Sequence, residues 1–225
     1  MRILLTNDDG FGAPGLETLA QAIAPLGEIY IVAPRQEWSG CGHRVTTHEV
    51  LQVESRGERA FIVDGTPADC VRLALDRLVS DIDLVLSGIN RGGNLGVDVF
   101  YSGTVAAARE ASFHGKLGIA LSHYLGRGLE IDWLRAGEWV KRAVAELLAQ
   151  PRPNGLLWNV NLPHREDLLE YPGIALAPVD PSPLELRFEP DGSGFRYRGD
   201  YHRRARRPGH DVAVCFGGKI AVSEL

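Results

Sequence analysis

Cysteine is scarce in this chain of 225 residues: Cys41, Cys70 and Cys215 are widely separated, and no CxxC pair occurs. An odd, scattered set excludes a disulfide framework and a zinc knuckle, and fits a reducing compartment. Any surplus of positive charge is also missing. Lys and Arg number 24 against 29 Asp and Glu, a formal net charge of -5. That balance argues against a general nucleic-acid binder, whose footprint is basic, so no specific nucleic-acid partner is expected. Hydrophobic residues at 44% and charged residues at 24% leave no sign of disorder, a fibre or a membrane span. The opening MRILLTNDDG meets acidic residues too early for a secretory signal, so a cytoplasmic location is the expectation. Internal repeats and low-complexity tracts are absent.

What is present is alternation. Ile3 to Leu5 form a short apolar run that ends at Asn7-Asp8-Asp9-Gly10, and a helical pattern follows from Gly15 to Ala24. Glu28 to Ala33 reads as a second strand closed by Pro34, completing a βαβ unit whose strands should be parallel. Val45 to Val53 and Ala60 to Val63 read as extended. Thr66 then caps a helix with Pro67 at its first position and Asp69 in its first turn. Strands are expected over Asp83 to Ser87, Gly118 to Ser122 and Leu157 to Asn161. Helices are expected over Thr104 to Phe113 and Trp133 to Gln150. Such alternation indicates an α/β fold, a Rossmann-like, mostly parallel sheet flanked by helices. After Pro163 the character changes, and Leu184 to Phe188 with Phe195 to Tyr201 read as a C-terminal β-hairpin extension. A single domain over 1–225 is expected, with its core at about 1–163 and the extension at about 164–225.

Ligands of an open parallel sheet bind beyond the carboxyl ends of its strands, and three such loops carry chemistry. The first holds the adjacent carboxylates Asp8 and Asp9. The second reads Ser39-Gly40-Cys41-Gly42-His43, and the third runs from Ser87 through Asn90 and Asn94 to Gly96. Neighbouring aspartates repel and call for a countercharge. An ion held by oxygen, without a His/Cys cluster, would be Mg2+ or Mn2+; a capping role in a solvated turn is the plain alternative. Gly10-Phe11-Gly12-Ala13-Pro14-Gly15 satisfies GxGxxG, the dinucleotide fingerprint. The two aspartates beside it and the lack of an acid about 20 residues on weigh against that reading. Ser102, Gly103 and Thr104 open a helix, where unpaired amides favour an anion or where Ser102 simply caps. His43, in the Ser39 loop, is either a contact to phosphate or leaving group or, as the favoured reading for it and for His123, a satisfied polar residue at the rim of the sheet. Cys41 lacks a partner that would activate its thiol.

Taken together, MRILLTNDDG with APGLETLA, VAPRQEWSG, GTPADCV, DLVLSGINRGGNLGVDVFYSGTVAAAREA and NVNLP resemble the SurE family of survival-protein phosphatases. These stretches span most of residues 1 to 163 in the family's order. The resemblance implies a nucleotidase (a phosphoric monoester hydrolase) with one divalent metal ion per subunit, Mg2+ or Mn2+. Its substrates would be nucleoside monophosphates, as the 5' ester, with 3'-nucleotidase and exopolyphosphatase activity open. It implies Asp8, Asp9, Ser39 and Asn90 as metal ligands and Asn94, Ser102, Gly103 and Thr104 as phosphate-facing; for metal-assisted hydrolysis, Asp8 or Asp9 is in addition the candidate catalytic base. It also implies a homodimer or homotetramer. Trp38 stands where the family commonly has arginine, and Gly93 where proline is frequent. A nucleotide-binding regulator without turnover and, further off, a dinucleotide-dependent oxidoreductase are the competing readings. Arg196, Arg198, Arg203, Arg204, Arg206 and Arg207 form a basic run that either attracts anions or is a solvated face or subunit contact.

Overall fold

The computed structural model describes residues 1–151 and 156–225. In chain order the elements are β1 (Arg2–Thr6), α1 (Pro14–Ile23), β2 (Glu28–Pro34), β3 (Val53–Ser55), β4 (Ala60–Val63), α2 (Pro67–Leu73), β5 (Leu84–Arg91) and α3 (Gly103–Phe113). Then follow β6 (Leu117–His123), α4 (Trp133–Leu148), β7 (Leu157–Leu162), β8 (Ile174–Leu176), β9 (Phe188–Asp191), β10 (Gly194–Tyr197), α5 (Asp211–Phe216) and β11 (Ile220–Glu224). Nine strands form one sheet in the order β3-β4-β2-β1-β5-β6-β7-β11-β8. The run from β4 to β7 is parallel throughout, whereas β3 and β11 pair antiparallel with β4 and β7.

Strand periodicity explains the layers. Ile3 and Leu5 of β1 face the side covered by α1 and α4, where Leu16, Leu19, Trp139 and Val140 are buried against them. Leu4 faces the opposite side, with Cys70 and Val71 of α2 and Ala107 and Ala111 of α3. A strand buried on both faces reads as an unbroken apolar run, as these do. α4 buries Ala136, Trp139, Val140, Ala143, Val144 and Leu147, one stripe at helical spacing. Its N-cap Asp132 accepts a hydrogen bond from the Arg135 amide at 3.1 Å.

Three expectations are modified. Only the end of the extended 45–53 stretch becomes a strand, because the outer edge of β4 offers partners to just Val53, Glu54 and Ser55. The C-terminal extension is more than a hairpin: Ile220–Glu224 enters the main sheet between β7 and β8. The hairpin forms a separate two-stranded sheet, but its strands lie nearer the turn, at Phe188–Asp191 and Gly194–Tyr197. It stands largely in solvent, with Leu186 83% and Phe195 76% exposed.

Candidate active site

From β1 the chain first builds β2 on one side and later β5 on the other, so the sheet order reverses at β1. The loops at the carboxyl ends of β1 and β5 therefore diverge and leave a crevice, the place where open α/β sheets bind ligands. Asn7 shapes the first loop. Its side chain donates to the Gly10 carbonyl at 3.0 Å and accepts from the Gly10 amide at 3.2 Å, a local turn that sets Asp8 and Asp9 beyond the end of β1.

Asp8 is 5% exposed. Thr104 Oγ1 donates to its Oδ1 at 2.5 Å, and the Trp38 amide donates to its carbonyl oxygen at 2.8 Å. Burial pushes its carboxyl up to about 6; the Thr104 bond opposes this and the Asp9 charge adds to it. No Lys, Arg or His among the described residues pairs with it. Asp9 is less buried. Its carboxyl is also raised, chiefly by burial, while the Arg91 amide, 3.3 Å from Oδ2, pulls it down and the Glu37 charge pushes it up.

The other two expected ligands lie on neighbouring loops. Ser39 follows Trp38, whose amide is tied to Asp8, and its hydroxyl donates to Glu37 Oε1 at 2.5 Å. Asn90 is the penultimate residue of β5, and its Nδ2 donates to the Gly92 carbonyl at 2.9 Å, which engages the amide nitrogen and leaves Oδ1 as the atom a cation would take. Among the described residues no group of three or more His, Cys, Asp or Glu converges as a metal centre. The donor set here is two carboxylates plus neutral oxygens. Such a set suits a hard divalent cation, and the buried, unpaired Asp8 carboxylate is the group that one would neutralise.

The phosphate-facing candidates divide. Gly103 opens α3 directly against Asp8: a Cβ there would lie 2.9 Å from Asp8 Cβ and 3.0 Å from Cys41 Sγ, so only glycine lets the helix start approach so closely. Ser102 caps α3, its Oγ accepting from the Val105 amide at 3.0 Å. Thr104 spends its hydroxyl on Asp8 and orients that carboxylate. Asn94 is a buried hub. Its amide donates to Asn161 Oδ1 at 2.8 Å, its Nδ2 to Ser122 Oγ at 2.8 Å, and its carbonyl accepts from Asn159 and Asn161 at 2.7 and 3.1 Å. Thr104 and Asn94 therefore have donors already engaged, a partnership no sequence spacing displays.

His43 Nε2 lies 2.7 Å from Glu110 Oε2, and His123 Nδ1 donates to the Tyr124 carbonyl at 2.8 Å. Both are satisfied polar residues. Cys41 sits beside Asp8, where burial and then the Asp8 charge raise its thiol, so it carries no thiolate. The GxGxxG stretch is a turn in which the Asn7 side chain holds Gly10, and the third glycine lets α1 pack on the Ile89 backbone.

A family model described as "Survival protein SurE" matches residues 3–179. A relative from Nostoc sp. (strain PCC 7120), with a provisional 5'-nucleotidase name, is 47% identical over 226 residues, covering 100% of this chain and 99% of its own. "5'-nucleotidase SurE" of Moorella thermoacetica is 36% identical over 236 residues, with 100% of this chain and 90% of the relative covered. The crystal structure of the SurE protein from Aquifex aeolicus superposes with a TM-score of 0.87 at 32% identity, spanning 100% of this chain and 93% of that one. The chain belongs to the SurE survival protein family.

Proposed function

We propose that this protein is a divalent-metal-dependent phosphomonoesterase that hydrolyses nucleoside monophosphates to nucleoside and phosphate. One observation carries the reading: a buried carboxylate without a cationic partner, Asp8, lies against the N-terminus of α3 with a second carboxylate next to it. The relatives named 5'-nucleotidase support the substrate class. Asp8, Asp9, Ser39 and Asn90 would hold one Mg2+ or Mn2+. When bound, that ion supplies Lewis acidity to the phosphoryl group and eases deprotonation of water.

The chain's own groups do the rest. Thr104 holds Asp8 in a single orientation, so that little reorganisation is needed when substrate arrives. Of the first amides of α3, that of Val105 is taken by the Ser102 cap and that of Thr104 by Asp8, so the Gly103 amide and the positive end of the helix dipole would meet the phosphate oxygens. They stabilise charge that develops on the equatorial oxygens. One of the two aspartates takes a proton from the attacking water as the new P–O bond forms. The bond to the nucleoside oxygen breaks, and the proton passes to that oxygen.

The same reading extends to setting and assembly. All three cysteines are free, which supports a reducing, cytoplasmic location, and no helix among the described residues is long and apolar enough to cross a membrane. The exposed apolar side chains of the hairpin support a homodimer or homotetramer. The continuity of the nine-stranded sheet across residue 163 supports one domain.

Phosphate release from AMP and GMP, measured after stripping with EDTA and again after adding Mn2+ or Mg2+, tests the proposal. Activity should vanish on stripping and return with the ion, and phosphodiesters should be poor substrates because they lack one free oxygen. Full activity in the stripped protein removes the metal from the mechanism. Faster cleavage of a diester than of AMP removes the monoesterase assignment.

A further inference from the structure

The basic run near the C-terminus separates in the fold. Arg196 pairs with Asp191 and Arg198 with Glu189 inside the exposed hairpin, and Arg203 is exposed. Arg204 is different: its side chain is 3% exposed and lies against Asp98, whose own side chain is 16% exposed. Nη1 donates to the Asp98 carboxylate, Nη2 donates to the Leu95 carbonyl at 3.0 Å, and the guanidinium stacks on Tyr201 at 4.9 Å from the ring centre.

Every one of these bonds ends on the loop that joins β5 to α3, and neighbouring C-terminal residues reach the same loop. Tyr201 Oη donates to the Gly93 carbonyl at 3.1 Å, and Asp211 Oδ2 accepts from the Gly96 amide at 2.8 Å. Gly96 has φ +56°, and a Cβ there would lie 2.9 Å from Arg204 Nη2 and from the Asp180 carbonyl oxygen. The loop and the C-terminal segment are thus fitted to each other with no room for a side chain. Asp98 completes the link, since its carbonyl accepts from the amides of Tyr101 and Ser102 at 3.0 and 3.1 Å and so sets the turn into α3.

We infer that Arg204 is a positioning residue for the phosphoryl-transfer site: through Asp98 and Leu95 it fixes the entry of α3, and hence the Ser102 to Thr104 start that borders Asp8. A planar guanidinium is needed because two acceptors in different directions, a carboxylate and a carbonyl, are served at once; a lysine ammonium offers no such fork. The kinetic consequence rests on the phosphatase reading above. The geometric consequence does not.

The experiment compares wild type, Arg204→Ala, Arg204→Lys and the exposed control Arg203→Ala, each checked for folding by near-UV circular dichroism. Two readouts are taken: kcat and KM for AMP with Mn2+, and hydrogen exchange at the Gly96, Tyr101 and Ser102 amides. Displacement of catalytic groups by about 1 Å costs up to about a hundredfold. Arg204→Ala and Arg204→Lys should therefore lose at least about tenfold in kcat, and the three amides should exchange faster while Val85 and Ile119 stay protected. Methylguanidinium should restore part of the Arg204→Ala activity, a response that a general loss of stability does not give. Arg203→Ala should stay within about twofold of wild type. A folded Arg204 variant with kcat within about twofold of wild type, or with unchanged exchange at those amides, overturns the inference. If Arg204→Ala fails to fold, Arg204→Lys decides by the same two measurements. If wild type hydrolyses no phosphomonoester with any divalent ion, the functional proposal fails by itself and the exchange data alone decide on Arg204.

Discussion

Asp8→Asn keeps the size of the side chain and an oxygen to accept the Thr104 hydroxyl, but removes the charge. Turnover of AMP should fall at least about a hundredfold, given what metal-held charge contributes to phosphoryl transfer. The metal-free variant should melt no lower than metal-free wild type, since an unpaired carboxylate in a buried site costs stability that the neutral amide does not. A variant that keeps full kcat removes Asp8 from the chemistry. His123 contributes one component of the pH dependence of stability, opposite in sign to that of Asp8. Burial holds its pKa at about 4 against the ordinary 6.5, so between these values the unfolded chain binds a proton that the folded protein refuses. Its contribution to stability is complete above about pH 6.5 and is lost as pH falls to about 4, on the order of 3 kcal/mol. The stability of wild type relative to His123→Gln, from urea unfolding, should fall as pH drops from 7 to 4.5. The raised Asp8 carboxyl acts in the opposite direction but is common to both proteins and cancels in the difference. A difference that does not change with pH refutes the assignment. The adjacent aspartates were legible in the sequence because a carboxylate pair at a strand end has few uses. The Thr104 hydroxyl was not, because 96 residues separate it from Asp8 and only the β1–β5 pairing brings them together.

Local signals sufficed at α2. Thr66 accepts from the Asp69 amide at 3.2 Å while Asp69 accepts from the Thr66 amide at 3.0 Å, a reciprocal capping box. Thr66 Oγ1 also donates to the Arg44 carbonyl at 2.7 Å, and Asp69 holds Thr46. Thr66→Ala should therefore destabilise by about 1–2 kcal/mol, toward the upper end of the range for lost caps, as read from denaturant unfolding. A change below about 0.3 kcal/mol would mean that water replaces the hydroxyl at both partners. At α3 the element is defined by what it touches. Gly103→Ala should leave the helix intact, since alanine is the better helix former, yet move Asp8 or Cys41 and reduce kcat by about tenfold or more. Unchanged kcat would show that the crevice yields to the methyl group without loss. Element boundaries failed where pairing partners decide. β5 runs on to Arg91 because β6 continues beside it to His123, and the 45–53 stretch stays largely unpaired because β4 is only four residues long.

At the scale of the whole molecule the hairpin is the exposed apolar feature. Leu186, Phe188, Phe195 and Tyr197 are between 48% and 83% exposed, and a two-stranded hairpin is marginal in water without a partner surface. Light scattering at micromolar concentration should give a dimer or tetramer, and deletion of residues 186–198 should weaken it. A mass near 24.6 kDa for the intact chain rejects assembly, and an unaltered oligomer after the deletion rejects the hairpin's part in it. Closed symmetric pairing is the usual way such a surface is covered.

The sequence by itself determined the order of strands and helices as far as Pro163, the flanking of the sheet by helices and the placing of two adjacent carboxylates, Asp8 and Asp9, just beyond the end of β1. Each depends on residues within one or two turns of one another, where periodicity, capping and charge repulsion act directly. The place of β11 between β7 and β8, the engagement of Asn94 by Asn159, Asn161 and Ser122, and the burial of Arg204 against Asp98 were decided by tertiary structure. Five apolar and polar residues at 220–224 are equally suited to several sheet edges, and an arginine among six reads as solvated until its partner is known. Asp98 lies 106 residues away from Arg204, and only the packing of the C-terminal segment on the β5–α3 loop removes both side chains from water, where their pairing acquires a positional role.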